Sequence, residues 1–174
     1  MTDEEKAFRA ALVALLPRLR RFGVALTGNR SEAEDVVQSA VERALRSWAQ
    51  FDHTRRLDSW MYKILENVWR DTKRAAVRLP LYTDQPLDAE GEDGRAAAEA
   101  RFELQRTREA FAALPDDQRA ALALVVLEGL SYAEVADALN VPIGTVMSRV
   151  SRGRATLLSR VRGPANVTQI GKGS

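Results

Sequence analysis

The sequence predicts an all-α protein made of two small helical domains joined by a flexible acidic linker. Three observations predict it. Apolar residues recur at helical spacing in both halves, and Ser-x-x-Glu capping signals open two of the segments. The periodicity stops once, between residues 79 and 96, where LPLYTDQPLDAEGEDG gathers two prolines, two glycines and five acids. The domains then span residues 5–78 and 97–162, with 163–174 as a loose tail.

Composition narrows the function classes. A chain that is 45% hydrophobic and 29% charged can bury a core and stay soluble, which argues against disorder. Cysteine is absent, so disulfides, thiolate metal sites and a cysteine nucleophile are excluded. The apolar run Ala120 to Leu127 is far too short to span a bilayer, and the chain opens on Asp3, Glu4 and Glu5 rather than a basic leader. The reading is a cytoplasmic protein without membrane insertion. The single histidine, His53, sits in a polar loop without ligand partners, and no nucleophile with an adjacent base is visible. The expectation is therefore a non-enzyme that needs no cofactor.

In the first domain, Ser31 and Glu34 form a capping box opening a helix whose core columns run Val36, Ala40, Ala44, Trp48 and Val37, Val41, Leu45. Asp35, Gln38 and Glu42 fall on a separate outward stripe. A polar loop, Phe51 to Arg56, precedes a helix that Asp58 can cap, with Leu57, Met61, Ile64, Leu65, Val68 and Thr72 inward. Its outer side carries Lys63, Asn67, Arg70, Arg74 and Arg78 at steps of four, three, four and four, a row suited to phosphates and base edges. Trp48 and Trp60 read as core residues, and Trp69 is open between core and surface.

The second domain starts with a helix around Phe102 to Ala113, breaks at Leu114-Pro115, and restarts with Asp116 and Asp117 where acids favour a helix N-terminus. A buried helix runs through Val126, Gly129 ends it, and Ser131 with Glu134 opens a short helix to Leu139. From Tyr132 the pattern is a helix-turn-helix: small Ala136 at the crossing, Asn140 where the turn tolerates positive φ, and Val146 ten residues after Ala136. Projected at 100° per residue, the last helix places Ile143, Val146, Val150, Leu157 and Val161 on one side and Thr145, Ser148, Arg149 and Arg152 on the other. Arginine pairs bidentately with guanine, and serine or threonine reaches phosphates or base edges, so the polar side is the DNA-facing one. Gly153 is the expected weak point of this helix.

The stretches SEAEDVVQSAVERALRSW, DSWMYKILENVWRDTKR and LPDDQRAALALVVLEGLSYAEVADALNVPIGTVMSRVSRGRATL together resemble, in order and spacing, the two domains of extracytoplasmic-function sigma factors. The resemblance implies a subunit that binds core RNA polymerase and directs initiation at particular promoters. It implies that Asp35, Gln38 and Glu42 bind the polymerase clamp helices. By the same resemblance Lys63, Asn67, Arg70 and Arg74 read the melted minus-ten element on the non-template strand, with Asp71 orienting Arg74. Thr145, Ser148, Arg149 and Arg152 would enter the major groove of the duplex minus-thirty-five element. An anti-sigma factor is the implied regulator. The competing reading is a stand-alone helix-turn-helix regulator that binds duplex DNA without polymerase.

Overall fold

The computed structural model describes residues 2–78 and 95–162, with side chains from 2 to 76 and from 102 to 161. The linker core, 79–94, and the tail, 163–174, lie outside the described residues. Seven α-helices and one short 3-10 turn make up the described residues, and no strand is among them: α1 Asp3–Thr27, α2 Arg30–Arg46, the turn Trp48–Gln50, α3 Leu57–Arg78, α4 Arg95–Ala112, α5 Asp116–Val126, α6 Tyr132–Leu139 and α7 Ile143–Arg162.

Local chemistry sets most boundaries. Thr2 accepts the Glu5 N–H at 3.2 Å, three acids fill the first turn of α1, and Gly28 closes it at φ 74°. The expected Ser31 capping box is not the start of α2. Asn29, two residues earlier, takes that place and its Oδ1 accepts the Glu32 N–H at 3.0 Å, because the left-handed Gly28 turns the chain back at once. Asp58 lies inside the first turn of α3, two residues later than the cap position, where its Oδ1 accepts the Ser59 N–H at 2.8 Å. In the second half the Ser131–Glu134 capping box is complete, and Asn140 adopts φ 53°, ψ 50°, as the turn of the helix-turn-helix requires.

α1, α2 and α3 enclose Phe22, Leu26, Val36, Ala40, Met61 and Leu65. Gly23 allows α1 and α2 to cross closely, since a Cβ there would meet Val37 Cγ2 at 3.1 Å. Trp60 is half-buried against Phe8 and Phe51, with ring centroids 6.1 and 5.1 Å away. Trp48 leaves the α2 column for the 3-10 turn but still packs on the core. In the second half α5 is the central helix, buried from Arg119 to Leu124, with α6 and α7 around it.

α7 runs unbroken past Gly153, without the expected bend or fray. Gly153 is buried against α5, and a Cβ there would sit in ordinary van der Waals contact, 3.5 Å from Gln118 Cβ and 3.6 Å from Leu122 Cδ2. The halves also share a core. Their buried apolar residues form one contiguous cluster, with α5 against α1 and α6 against α3.

Candidate nucleic-acid and polymerase interfaces

Burial of Val36, Val37, Ala40 and Ala44 turns the other side of α2 outward, so Asp35, Gln38 and Glu42 are all exposed. Gln38 Nε2 donates to Glu42 Oε1 at 3.2 Å and Arg46 Nη2 to Glu42 Oε2 at 3.1 Å, both bonds within the helix. The stripe is an open, net acidic surface.

The outer row of α3 divides. Lys63 and Asn67 line an open cleft of about 350 Å³ with Arg55, Arg56, Trp60 and Asp137. Arg70 instead pairs with the buried Glu66, whose carboxyl burial pushes up against the pull of the arginine. Arg74 lies 3.9 Å from Asp71, which also faces Arg43 at 3.7 Å, so the i+3 pairing of Asp71 with Arg74 is present at the edge of contact. The side chain of Arg78 lies outside the described residues.

On α7, Val146, Val150 and Gly153 form the buried line, and their contact with α5 sets the faces. Ser148 Oγ donates to the Thr145 carbonyl at 2.9 Å, and Arg152 donates to both the carbonyl and Oγ of Ser148 at 3.2 Å. Arg149 departs from the projected outer side: its side chain is only 17% exposed and its Nε forms an ion pair with Asp117 Oδ2 at 3.1 Å. It flanks the buried line, where the first turn of α5 reaches it. Ile143 departs in the opposite sense and is 50% exposed. The open side therefore also includes Met147, 53% exposed, and Ser151, which the polar-face criterion passed over.

The description "Sigma-70, region 4" matches residues 104–157 and "Sigma2 domain of PhyR" matches residues 12–66. The factor EcfG of Rhodopseudomonas palustris is 34% identical over 156 residues, covering 87% of this chain and 83% of that one. The chain belongs to the extracytoplasmic-function sigma factors. As a member, it binds core RNA polymerase and directs promoter-specific transcription initiation. SigW of Bacillus subtilis, another such sigma factor, is 33% identical over 153 residues, 79% of each chain. Among solved structures, the sigma factor RpoE in complex with the anti-sigma factor NepR from Bartonella quintana is similar at TM-score 0.76 and 29% identity, covering 90% of this chain and 98% of that one. The PhyRSL–NepR complex from Sphingomonas sp. Fr1 is similar at TM-score 0.60 and 26% identity, over 94% and 92% of the two chains.

The second half of this sigma factor meets the first through acids, a contact that no local pattern announced. The side chain of Glu128, just after α5, is 0% exposed. It accepts from Arg18 Nε at 3.0 Å, Arg21 Nε at 2.8 Å, Arg21 Nη2 at 3.1 Å and the Tyr62 hydroxyl at 2.8 Å. Burial alone would raise its pKa, but the donors from Arg21, Tyr62 and Arg18 outweigh burial and hold it below the ordinary glutamate value. Burial and the bond to Glu128 push the Tyr62 phenol strongly up. Further out, Lys73 Nζ reaches Asp116 Oδ2 at 2.7 Å, and the buried Arg119 stacks 5.1 Å above the Trp69 ring. Among the described residues, no group of His, Asp and Glu is placed to hold a metal ion, and no helix is long and apolar enough to cross a membrane.

Proposed function

We propose that this sigma factor divides its task between domains at 5–78 and 97–162, joined by the linker 79–96. Asp35, Gln38 and Glu42 dock on the polymerase clamp. Lys63, Asn67, Arg70 and Arg74 hold the melted minus-ten strand, and Thr145, Ser148, Arg149 and Arg152 read the duplex minus-thirty-five element. The chain works in the cytoplasm, has no enzymatic activity of its own, and is restrained by an anti-sigma factor. The similar RpoE and PhyRSL chains, each in complex with NepR, support that last assignment.

The observation that carries the reading is the separation of charge: an exposed acidic stripe on α2, and cationic residues on α3, its preceding loop and α7. A cationic groove beside aromatic side chains suits single-stranded nucleic acid, and a helix bearing Arg and Ser suits the major groove. Two weak contacts joined on one polymerase gain through effective concentration. Run-off transcription with core polymerase tests the assignment. Wild-type chain should give discrete starts. Asp35→Ala/Gln38→Ala should remove them by weakening association with core, and Arg149→Ala/Arg152→Ala should remove them while core association stays. A chain that shifts duplex DNA alone and never confers initiation on core would be a stand-alone regulator.

A further inference from the structure

The buried line of α7, Val146, Val150 and Gly153, turns the opposite side of the helix outward, and the two edges of that open side differ in chemistry. Arg152 stands on one edge. Ile143 and Met147, one turn apart, stand on the other, and both are about half exposed. From Ile143 to Arg162 the helix contains no acid. A single exposed apolar side chain is ordinary on any surface. Two on one edge of a basic helix that reads DNA need a ligand with an apolar group, and among the base edges of the major groove that group is the thymine methyl.

Gly144 adds an independent observation. A Cβ added there would meet nothing within 4 Å, and its backbone is not left-handed. Among the described glycines, Gly23 and Gly153 lie against another helix, and Gly28 and Gly129 have positive φ. Gly144 has neither reason, yet it sits in the first turn of α7, between Ile143 and Ser148 on the open side. A missing side chain at such a place allows close approach of a ligand to the backbone, and the N-terminal residues of a recognition helix are those that meet base edges.

We propose that Met147, with Ile143 one turn before it, packs on the C5-methyl group of a thymine in the minus-thirty-five duplex, and that Gly144 lets the helix come close enough for that contact. The inference rests on the assignment of α7 to the minus-thirty-five duplex and adds a base to what the helix recognises. Met147 and Arg152 are about 7.5 Å apart along the helix axis, roughly the span of two base pairs. The thymine therefore lies that far from the guanine to which Arg152 is suited. The flexible thioether adapts to the methyl group. Cytosine carries only a hydrogen at that carbon and an amine beside it, which an apolar side chain leaves without an acceptor.

The test uses core polymerase loaded with the full chain and promoter duplexes, built on a fragment that gives a discrete start and randomised over the minus-thirty-five segment. Duplexes retained by wild type should be enriched in thymine about two base pairs from an enriched guanine. Met147→Ala should lose the thymine and keep the guanine, and Arg152→Ala should lose the guanine. In one enriched duplex, deoxyuridine in place of that thymine removes the methyl group alone. It should weaken wild-type binding about fourfold, the loss expected for one methyl group, and leave Met147→Ala unchanged. Met147→Leu should stay sensitive to the methyl group. Gly144→Ala should melt no earlier than wild type yet bind about tenfold more weakly, the size of one lost base contact. Wild-type indifference to deoxyuridine, or equal sensitivity with and without Met147, overturns the methyl contact; unchanged binding by Gly144→Ala overturns the close approach. A Met147→Ala loss that is the same on every duplex makes the apolar edge a protein contact and also overturns the proposal. If Arg152→Ala loses the guanine while deoxyuridine makes no difference, the methyl contact fails and the minus-thirty-five assignment stands. If no chain shows base preference over that segment, the assignment falls and the methyl contact with it.

Discussion

The outward face of α2 and the cationic edge of the same domain meet different surroundings. Gln38 and Glu42 bond only along their own helix, and Asp35 is exposed beside them. Arg18, Arg21, Arg56 and Lys73 each end on a carboxylate of the second half, and Trp69 lies beneath Arg119. Opposite charge therefore closes the molecule on one side and leaves the other open. The α2 stripe is accessible as the molecule stands, whereas Arg18, Arg21 and Lys73 are engaged by the second half.

Three substitutions test that contrast. The largest effect is expected from Trp69→Ala. The side chain is 1% exposed in the core shared by both halves, so its removal should cost about 3–5 kcal/mol in guanidinium unfolding. A cost under about 1 kcal/mol would mean the halves do not share a core in solution. Glu128→Gln comes next, at about 1–3 kcal/mol near neutral pH, because three side chains lose a charged acceptor. Glu128 has a depressed pKa in the folded chain, so its contribution is complete above about pH 4.3 and is lost as the pH falls through the folded value. Melting curves of wild type and variant should thus differ most at neutral pH and converge in acid; a constant gap would remove the ionised carboxylate from the contact. The smallest effect belongs to Asp35→Ala/Gln38→Ala, within about 0.5 kcal/mol of wild type by the same unfolding assay. A larger loss would make the stripe part of the fold's support.

Features governed by a few adjacent residues were legible in the sequence. The Ser131–Glu134 box, the left-handed Asn140 and the stop at Gly129 follow from backbone groups that must be satisfied within one turn. The start of α2 was misplaced because Asn29 and Ser31 are both good caps, and only the turn at Gly28 decides between them. Arg149 was assigned outward because helical projection sees one helix at a time, whereas Asp117 reaches it from α5. Gly153 does not break α7, because the residue is buried against α5 and tertiary packing holds the helix there. The α2 stripe and the α3 row stand where the spacing put them, but Arg70 and Arg74 are engaged by acids of their own helix. The closed arrangement depends on pairs such as Arg18 with Glu128, separated by 110 positions, which no periodicity encodes.

Glu128 also has a consequence for how this sequence can drift. Its one carboxylate serves Arg18, Arg21 and Tyr62 at once, so the four positions form a single energetic unit whose substitutions do not add. While the acid is kept, each donor is constrained by the other two. Once it is lost, the two arginines and the phenol lose their shared reason to persist. Descendants should keep the set or discard it as a whole.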